Sequence, residues 1–481
     1  MKSYFRGAVF RGASACLFAL SLSACVSAPP NALDRPGDVP AAFTAPANAD
    51  APLWPDTAWW SNFKADELGG LMQTAHAENL DIAQAAARVL QAEANDGVAL
   101  SNLFPSVGLQ GSYQRSGGNS QIPRAHNAFT AGLSASYSQN FWGLEFDQLR
   151  AARQSLRAAR YAATIIGQTI EADVADEYFT ILALRERIAI ARSNIEAAKR
   201  ILTLTEAKVS SGVLSNLELA EQQAVVAQQE SRLPGLIEQE KEARYGLAIL
   251  MGRAPEGYDI KGQNLDDVVS PAVKPGMPSE LLGRRPDVAE AEAQLYAAHA
   301  NLDAARAAFF PSLSLTGSGG YASNALSGLI SPPNLVWSLG ASLFETIFDA
   351  GRIKAESDLA RARQTELIAN YRKTVFSAFS DVESALGIVR SIGEQLALID
   401  IQTKASAEAF RISELQYREG TIDILTLLTA QQNLFTAQDA LVQTKLARLE
   451  ANIGLYVALG GGWQQQASDD AYKPQLDWWP L

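Results

Sequence analysis

Cysteine is almost absent from this chain, which carries only Cys16 and Cys25 among its 481 residues. Both lie within the first 25 residues, so the remainder can form no disulfide. Histidine is nearly as scarce, and His76, His126 and His299 lie far apart with no metal-ligand spacing among them. The sequence therefore excludes a disulfide framework and a Cys/His metal site, and it predicts no cofactor.

Long apolar runs are missing as well. Beyond Cys25 no stretch of about twenty apolar residues occurs, so no membrane-spanning helix is predicted. If the mature chain crosses a membrane, it must do so with strands, because lipid tolerates only helices and closed barrels. The formal net charge of −12 argues against nucleic acid as a partner. It permits an acidic lumen that would favour cations.

The first residues have the pattern of an export signal. Lys2, Arg6 and Arg11 make a basic start, a short apolar stretch follows, and Leu22-Ser23-Ala24-Cys25 ends it. We expect a signal peptide over 1–24 and a lipidated, extended segment over 25–60. Small residues before Cys25 resemble a bacterial lipobox, in which the cysteine carries a covalent lipid. The alternative is an ordinary signal peptide with an incidental cysteine. Val26 in place of Asp favours the outer membrane, by analogy with lipoprotein sorting.

The chain contains the same pattern twice. Phe104-Pro105-Ser106 recurs 206 residues later as Phe310-Pro311-Ser312, and later landmarks recur after 208 residues. These landmarks include Gly143 and Gly351, Asp173 and Asp381, Gly212 and Gly420, Leu217 and Leu425, and Gln223 and Gln431. We predict two copies of one unit: helix, strand, strand, very long helix, turn and long helix. The copies span 61–252 and 281–460, with a connector over 253–280 and a tail over 461–481.

The long segments predict helical hairpins over about 144–250 and 350–459. They are rich in strong helix formers, with apolar residues three and four positions apart. A helix from about Leu144 to Lys208 would be ~95 Å long at 1.5 Å per residue, so it must pair with other helices.

Both hairpins turn with the same chemistry. Gly212 and Gly420 are expected to end the outgoing helices in a left-handed conformation. Ser215 opens one return helix with a capping box, and Asp423 is a candidate N-cap for the other.

Two alternating segments precede each long helix. We predict strands over about 105–115, 128–140, 311–321 and 334–345, each with one apolar face and one face of Ser, Thr and Gly. That pattern suits a barrel with lipid outside and water inside. Because four strands cannot close a barrel, several chains must share one. The alternative is a soluble four-stranded sheet packed on a helix.

Several motifs resemble the TolC-type outer-membrane factor family, in its NodT/OprM-like lipoprotein branch. They are Trp59-Trp60-Ser61-Asn62-Phe63, Leu282-Gly283-Arg284-Arg285-Pro286-Asp287-Val288, Ala307 to Gly317, and Tyr417-Arg418-Glu419-Gly420 followed by Leu425 to Gln432. The fold class implied is mainly α with a membrane β-barrel. Three copies would form a twelve-strand β-barrel in the outer membrane and a twelve-helix α-barrel tunnel in the periplasm.

The resemblance also implies a function. The chain would be the outer-membrane channel of a tripartite efflux system, in which it docks on a periplasmic adaptor protein and serves an inner-membrane pump of the resistance-nodulation-division type. Drugs, dyes, detergents or metal ions would pass through it, and antibiotic resistance would follow. No nucleophile elbow, phosphate loop or acid–base pair indicates an enzyme. The alternatives are the outlet of a protein-secretion system and a periplasmic adaptor.

The resemblance assigns roles to the turns and to one motif. The segments from Gly212 to Glu218, which includes Ser215, and from Gly420 to Thr429 would close the tunnel and meet the adaptor. Tyr417 would latch neighbouring helices. Thr426 and Thr429 stand where relatives often carry acidic residues, so only Asp423 offers a carboxylate, which would either gate or cap a helix. We interpret Arg284, Arg285, Pro286 and Asp287 as determinants of the fold.

Overall fold

The computed structural model describes residues 39–40, 42–44, 54–117, 125–266, 268–272 and 274–464. The predicted signal peptide, the lipid site at Cys25 and residues 465–481 lie outside the described residues. The helices are α1 (Asp66–Glu78), α2 (Leu80–Ser101), α3 (Leu144–Ser210), α4 (Asn216–Leu250), α5 (Pro278–Leu281), α6 (Pro286–Ala307), α7 (Arg352–Glu419) and α8 (Ile424–Ala458). The strands are β1 (Ser106–Ser116), β2 (His126–Gln139), β3 (Ser312–Ser323) and β4 (Leu335–Phe344). The chain is therefore mainly α-helical.

The two copies have matching elements. The outgoing helices α3 and α7 contain 67 and 68 residues, and the return helices α4 and α8 contain 35 each. Helix α4 continues through Pro234, which has no N–H to donate to the preceding turn. In the part of the chain that the structure describes, no helix is both long and apolar enough to span a membrane.

The four strands form one antiparallel sheet in the order β1-β2-β3-β4. Its register places the apolar positions on one face, where Leu109 lies opposite Leu133 and Leu313 lies opposite Leu343. Hydroxyl pairs occupy the other face. They are Ser106 and Ser136 at 2.8 Å, Ser112 and Thr130 at 2.7 Å, and Ser318 and Ser338 at 2.9 Å. The apolar side chains of Leu109, Trp337 and Leu339 are exposed, unlike those of a sheet packed on a helix.

Strands β2 and β3 approach closely where two glycines face each other. Gly132 is the register partner of Gly320. A Cβ atom on Gly320 would lie 2.4 Å from the carbonyl oxygen of Ala131, whereas one on Gly319 would meet nothing within 4 Å. The sheet therefore requires glycine at position 320 and not at its neighbour.

The chain divides into two compact units. One contains Ala94–Ser155 and Ala293–Asn370, and therefore the sheet and the helix ends that adjoin it. The other contains, of the described residues, 54–93, 156–292 and 371–464. Its core includes an aromatic group in which Trp59 stacks on Tyr456 with ring centroids 5.2 Å apart, and Phe63 lies 5.2 Å from Phe179.

Candidate functional site

The tip of the first hairpin follows from its glycine and its capping residues. Gly212 has φ +77°, and the N–H of Val213 donates to the carbonyl oxygen of Lys208 at 2.9 Å, which ends α3. At the start of α4, the N–H of Ser215 donates to the carboxylate of Glu218 at 2.6 Å. These contacts give the first turn a defined shape.

The second tip repeats this geometry with different residues. Gly420 has φ +78°, and the N–H of Thr421 donates to the carbonyl oxygen of Gln416 at 2.9 Å. The side chain of Asp423 accepts the N–H of Thr426 at 2.8 Å and so caps α8. The N–H and hydroxyl of Thr426, followed by the N–H of Leu425, lower the pKa of Asp423 despite a small opposing effect of desolvation. Asp423 is therefore an exposed, ionised helix cap.

Tyr417 joins the two hairpins of one chain. It is 1% exposed, and its hydroxyl lies 3.1 Å from the hydroxyl of Thr205 on α3. The Thr205 hydroxyl already donates its single proton to the carbonyl oxygen of Ile201 at 2.9 Å, so the phenol must donate to Thr205. Burial raises the pKa of Tyr417, so the phenol keeps the proton that this bond needs.

Lys208 makes two further contacts with the same tyrosine. Its ammonium nitrogen donates to the backbone carbonyl oxygen of Tyr417 and lies 4.2 Å from the centroid of the ring. Lys208 is in the last turn of α3, and Tyr417 is in the last turn of α7. The cation therefore lies where the carbonyl ends of two helices meet.

An apolar cluster surrounds this contact. Its buried members are Ala197, Ile201, Phe410, Tyr417, Ile424, Leu427, Leu434 and Phe435. They come from α3, α7 and α8, so the tips of both hairpins share one small core. We call this cluster, with Thr205 and Lys208, the tip joint.

A groove of about 640 Å³ lies beside the tip joint, between α7 and α8. Thr426 and Thr429 line it, and none of its lining residues is charged. The hydroxyl of Thr429 donates to the carbonyl oxygen of Leu425 at 2.8 Å, within its own helix. The other lining residues are Gln402, Ala405, Ser406, Ala409, Ser413, Leu425, Ala430 and Asn433.

The Arg284–Asp287 motif is distant from the tips. Arg285 donates to Asp287 at 2.9 and 2.7 Å, to Asp381 on α7 at 3.0 Å and to the carbonyl oxygen of Ala458 at 3.3 Å. Arg285 therefore connects the start of α6 and the end of α8 to α7. Asp381 precedes Tyr417 by 36 residues on the same helix, or about 54 Å.

The neighbouring residues of that motif are also in structural positions. The guanidinium of Arg284 lies 4.7 Å from the ring centroid of Trp54, and Pro286 is the first residue of α6. Arg284 therefore contacts a residue that precedes α1, and Pro286 begins a helix. Within the described residues, no group of three or more His, Cys, Asp or Glu side chains is arranged to hold a metal ion.

Sequence reasoning placed Tyr417 at the tip but did not identify its partners. Thr205 and Lys208 carry no motif, and their relevance depends on how two hairpins with distant sequences align. The only available signal was a basic residue in the last turn before Gly212, which suits a helix carboxyl end wherever it occurs.

The model of the outer membrane efflux protein family matches residues 71–253 and 277–461, which are most of this chain. The chain belongs to the outer membrane efflux protein family. It is thus an outer-membrane efflux protein of the kind that forms part of an efflux pump, and the expected family is confirmed.

Similarity to individual proteins agrees with this. The pyoverdine export outer membrane protein OpmQ of Pseudomonas aeruginosa is 40% identical over 86% of this chain and 89% of its own. The cation efflux system protein CusC of Escherichia coli O6:H1 is 30% identical over 93% of this chain and 98% of its own. A solved structure of the outer-membrane channel OprN matches with a TM-score of 0.84 and 28% identity, and covers 92% of this chain and all of that one. The family and these relatives are channel and export proteins.

Proposed function

We propose that this efflux protein is a passive exit channel in which three copies share one barrel and one tunnel. The observation that carries the proposal is the sheet. It has an apolar face and a hydroxyl-rich face, and every residue of β4 is exposed. Among the described residues, β1 and β4 each have a neighbouring strand on one edge only. Three such sheets would make twelve strands, a size that closes around a lumen.

The same threefold arrangement would gather twelve helices into a periplasmic tunnel, because each chain supplies two hairpins. The chain would perform no catalysis. The energy for transport would come from an inner-membrane pump of the resistance-nodulation-division type, and a periplasmic adaptor would connect the two. A lipid on Cys25 would anchor the mature chain in the outer membrane.

The hairpin tips are the proposed gate. The phenol of Tyr417 and the ammonium of Lys208 hold the two hairpins together, and Gly212, Ser215 and Gly420 shape the turns that an adaptor would contact. Three copies of the ionised Asp423 would place negative charge near this constriction. Thr426 and Thr429 add no charge to it, so any selection between cations and anions at the second turn would depend on Asp423, as it would depend on Glu218 at the first.

The cargo is proposed from the relatives. OpmQ exports pyoverdine and CusC belongs to a cation efflux system, so the proposed cargo is a small molecule, with a pyoverdine-type siderophore as the first to test. The hydroxyl pairs on the polar face of the sheet suit a hydrated, polar cargo, because neutral hydroxyls neither repel nor retain a charged group strongly.

The experiment is a deletion strain tested in parallel for siderophore in the culture supernatant, for susceptibility to antibiotics, dyes, detergents and metal ions, and for secreted proteins. We expect siderophore retention or hypersensitivity with an unchanged set of secreted proteins, restored by the intact gene. Loss of a secreted protein with unchanged susceptibility would instead assign the chain to protein secretion. If the deletion strain shows no change, the conductance of the purified trimer in a planar bilayer decides whether the protein forms a channel. An absence of conductance would contradict the proposed channel.

A further inference from the structure

Two large apolar side chains are left uncovered in the short segment between β4 and α7. Ile347 is 97% exposed and Phe348 is 88% exposed. They adjoin the end of β4, whose outer edge has no neighbouring strand in the part of the chain that the structure describes. Together with Leu343 and Phe344 at the end of β4, which are 72% and 68% exposed, they make a continuous apolar surface, and such a surface marks a contact with another molecule or with lipid.

We call the segment between a strand and the long helix that follows it a corner. In the corner of the first copy, the residues that match Ile347 and Phe348 are buried. The positions 208 residues earlier are Gln139 and Asn140, between β2 and α3, and they are 8% and 4% exposed. Asn140 donates its side-chain amide to the carbonyl oxygen of Ala307 at 3.1 Å. The segment that leads from α6 into β3 therefore covers this corner.

An aromatic contact strengthens the covered corner. Trp142 stacks on Phe310 with ring centroids 4.7 Å apart, and its indole N–H donates to the carbonyl oxygen of Pro311 at 3.1 Å. The strands beside it are paired, with Gln139 opposite Leu313. Sheet pairing and corner packing thus occur together.

The repeat also shows what would cover the second corner. The counterpart of the α6–β3 segment, 206 residues earlier, is the α2–β1 segment at 101–105. Its Phe104 corresponds to Phe310 and is exposed, and it adjoins β1, the other strand with a free edge. Within one chain β1 and β4 are at opposite edges of the sheet. A β1 strand that meets this β4 must therefore belong to another copy of the chain.

We propose that Ile347 and Phe348 of each copy pack against the 101–105 segment of a second copy, and so reproduce between chains the corner that β2 and β3 form within one. The inference rests on the proposed multichain barrel and adds the contact that seals its seam. By the same equivalence, Ile347 lies opposite Val107 of the second copy, as Gln139 lies opposite Leu313.

The sequence differences between the two corners fit this contact between chains. In the first corner the aromatic ring comes from Trp142, whereas the matching position in the second is Ala350. Phe348 in turn stands where the first copy has Asn140. The first corner contains Phe141 and Trp142, of which Trp142 stacks on Phe310, whereas Phe348 is the aromatic residue of the second corner and would take that place beside Phe104 of the second copy.

Cysteine crosslinking tests the seam, because the chain has no cysteine after Cys25. The variant Ser101→Cys with Phe348→Cys, treated with a short dithiol-reactive crosslinker, should give covalent dimers and trimers on a denaturing gel. Each single variant should give neither. As a positive control, Trp142→Cys with Phe310→Cys should crosslink within one chain and leave its mass that of a monomer.

A negative control uses the same reactive position. Leu326 is exposed between β3 and β4, at the opposite end of the sheet from Phe348. Leu326→Cys with Phe348→Cys should therefore give no crosslink between chains. Crosslinking as efficient as that of the 101 and 348 pair would indicate random collision and would overturn the inference.

The remaining outcomes separate this inference from the function on which it rests. If the wild-type protein is a trimer but positions 101 and 348 do not crosslink, the seam is wrong and the trimer stands. A nitroxide on Phe348→Cys that is then accessible to oxygen dissolved in the bilayer would assign the corner to lipid. If the wild-type protein is not oligomeric, the proposed shared barrel itself fails.

Discussion

The hydroxyl of Tyr417 lies 3.1 Å from that of Thr205, and the ammonium of Lys208 lies over the ring of the same tyrosine. One side chain of α7 is therefore held by two side chains of α3, at the ends of both helices. Since α3 and α7 begin separate hairpins, this contact is the place where one hairpin could separate from the other.

Removing the hydroxyl group of Tyr417 should make the channel open more often. Tyr417→Phe keeps the packing and loses one hydrogen bond, which contributes about 1 kcal/mol, or roughly a fivefold change in the closed–open equilibrium per chain. Lys208→Met should act in the same direction. Single-channel recording of purified protein in a planar bilayer measures the open fraction. Tyr245→Phe, a tyrosine of α4 outside the tip joint, should behave as wild type, and unchanged opening in both tip variants would place the gate elsewhere.

The turn glycines should be irreplaceable for reasons of backbone conformation alone. A Cβ atom at Gly420 would meet nothing within 4 Å, but φ is +78°, a region that costs other residues roughly 1–2 kcal/mol. We expect Gly420→Ala to lower the free energy of unfolding by about this amount. Gly393 lies in the interior of α7, the helix that Gly420 follows, with equally open surroundings, so Gly393→Ala should stabilise the protein by about 0.5–1 kcal/mol. Thermal unfolding of both variants checks the opposite signs.

The turns and strands could be predicted because their signals are local. Gly212 and Gly420 mark reversals through their own φ preference, and alternation at Leu109 or Leu339 shows in the sequence which face is apolar. The strand predicted at about 128–140 is found at His126–Gln139. The partners of Tyr417 could not be predicted, since Thr205 is 212 residues away and no spacing rule connects the two.

Glycine at position 320 should be needed for the sheet, while its neighbour should not. An alanine at Gly320 would place its Cβ 2.4 Å from the carbonyl oxygen of Ala131 and from the Cα of Gly132, both backbone atoms of a paired strand. We expect Gly320→Ala to reduce the yield of assembled trimer severely. Gly319→Ala has open surroundings and should assemble normally. The ratio of trimer to monomer after extraction measures both, and equal yields would contradict the close approach of β2 and β3.

Arg285 should not tolerate lysine. Its guanidinium bonds both oxygens of Asp287 and also reaches Asp381 and the carbonyl oxygen of Ala458, a set that a single ammonium cannot satisfy. The arginine side chain is 12% exposed, whereas Asp287 and Asp381 are 31% and 50% exposed and can bond water instead, so Arg285→Lys should cost about 2 kcal/mol. Arg284→Lys loses only a contact with the ring of Trp54 and should cost at most about 1 kcal/mol. Denaturant unfolding compares the two, and equal costs would contradict a role for Arg285 as the connector.

Asp176 on α3 gives the protein a stability that depends on pH. Burial, followed by the carboxylates of Glu450, Asp173 and Glu177, raises its pKa to about 7, and its Oδ1 has no hydrogen-bond partner among the described residues. An unfolded aspartate releases its proton near pH 4, so between about pH 4 and 7 the folded protein binds more protons than the unfolded one. The contribution of this group to the free energy of unfolding therefore falls as the pH rises through that window, and it is constant above it.

Asp176→Asn should remove this dependence. The amide cannot ionise, so the variant should unfold at a higher temperature than wild type at pH 8, and the difference should shrink or reverse at pH 5. Glu394→Gln, which removes an exposed carboxylate paired with Arg390, should leave the wild-type pH dependence intact. Thermal unfolding of the three proteins at pH 5 and 8 is the measurement. If the change in stability between pH 5 and 8 is the same in wild type and in Asp176→Asn, folding does not raise the pKa of Asp176. That result would contradict the prediction.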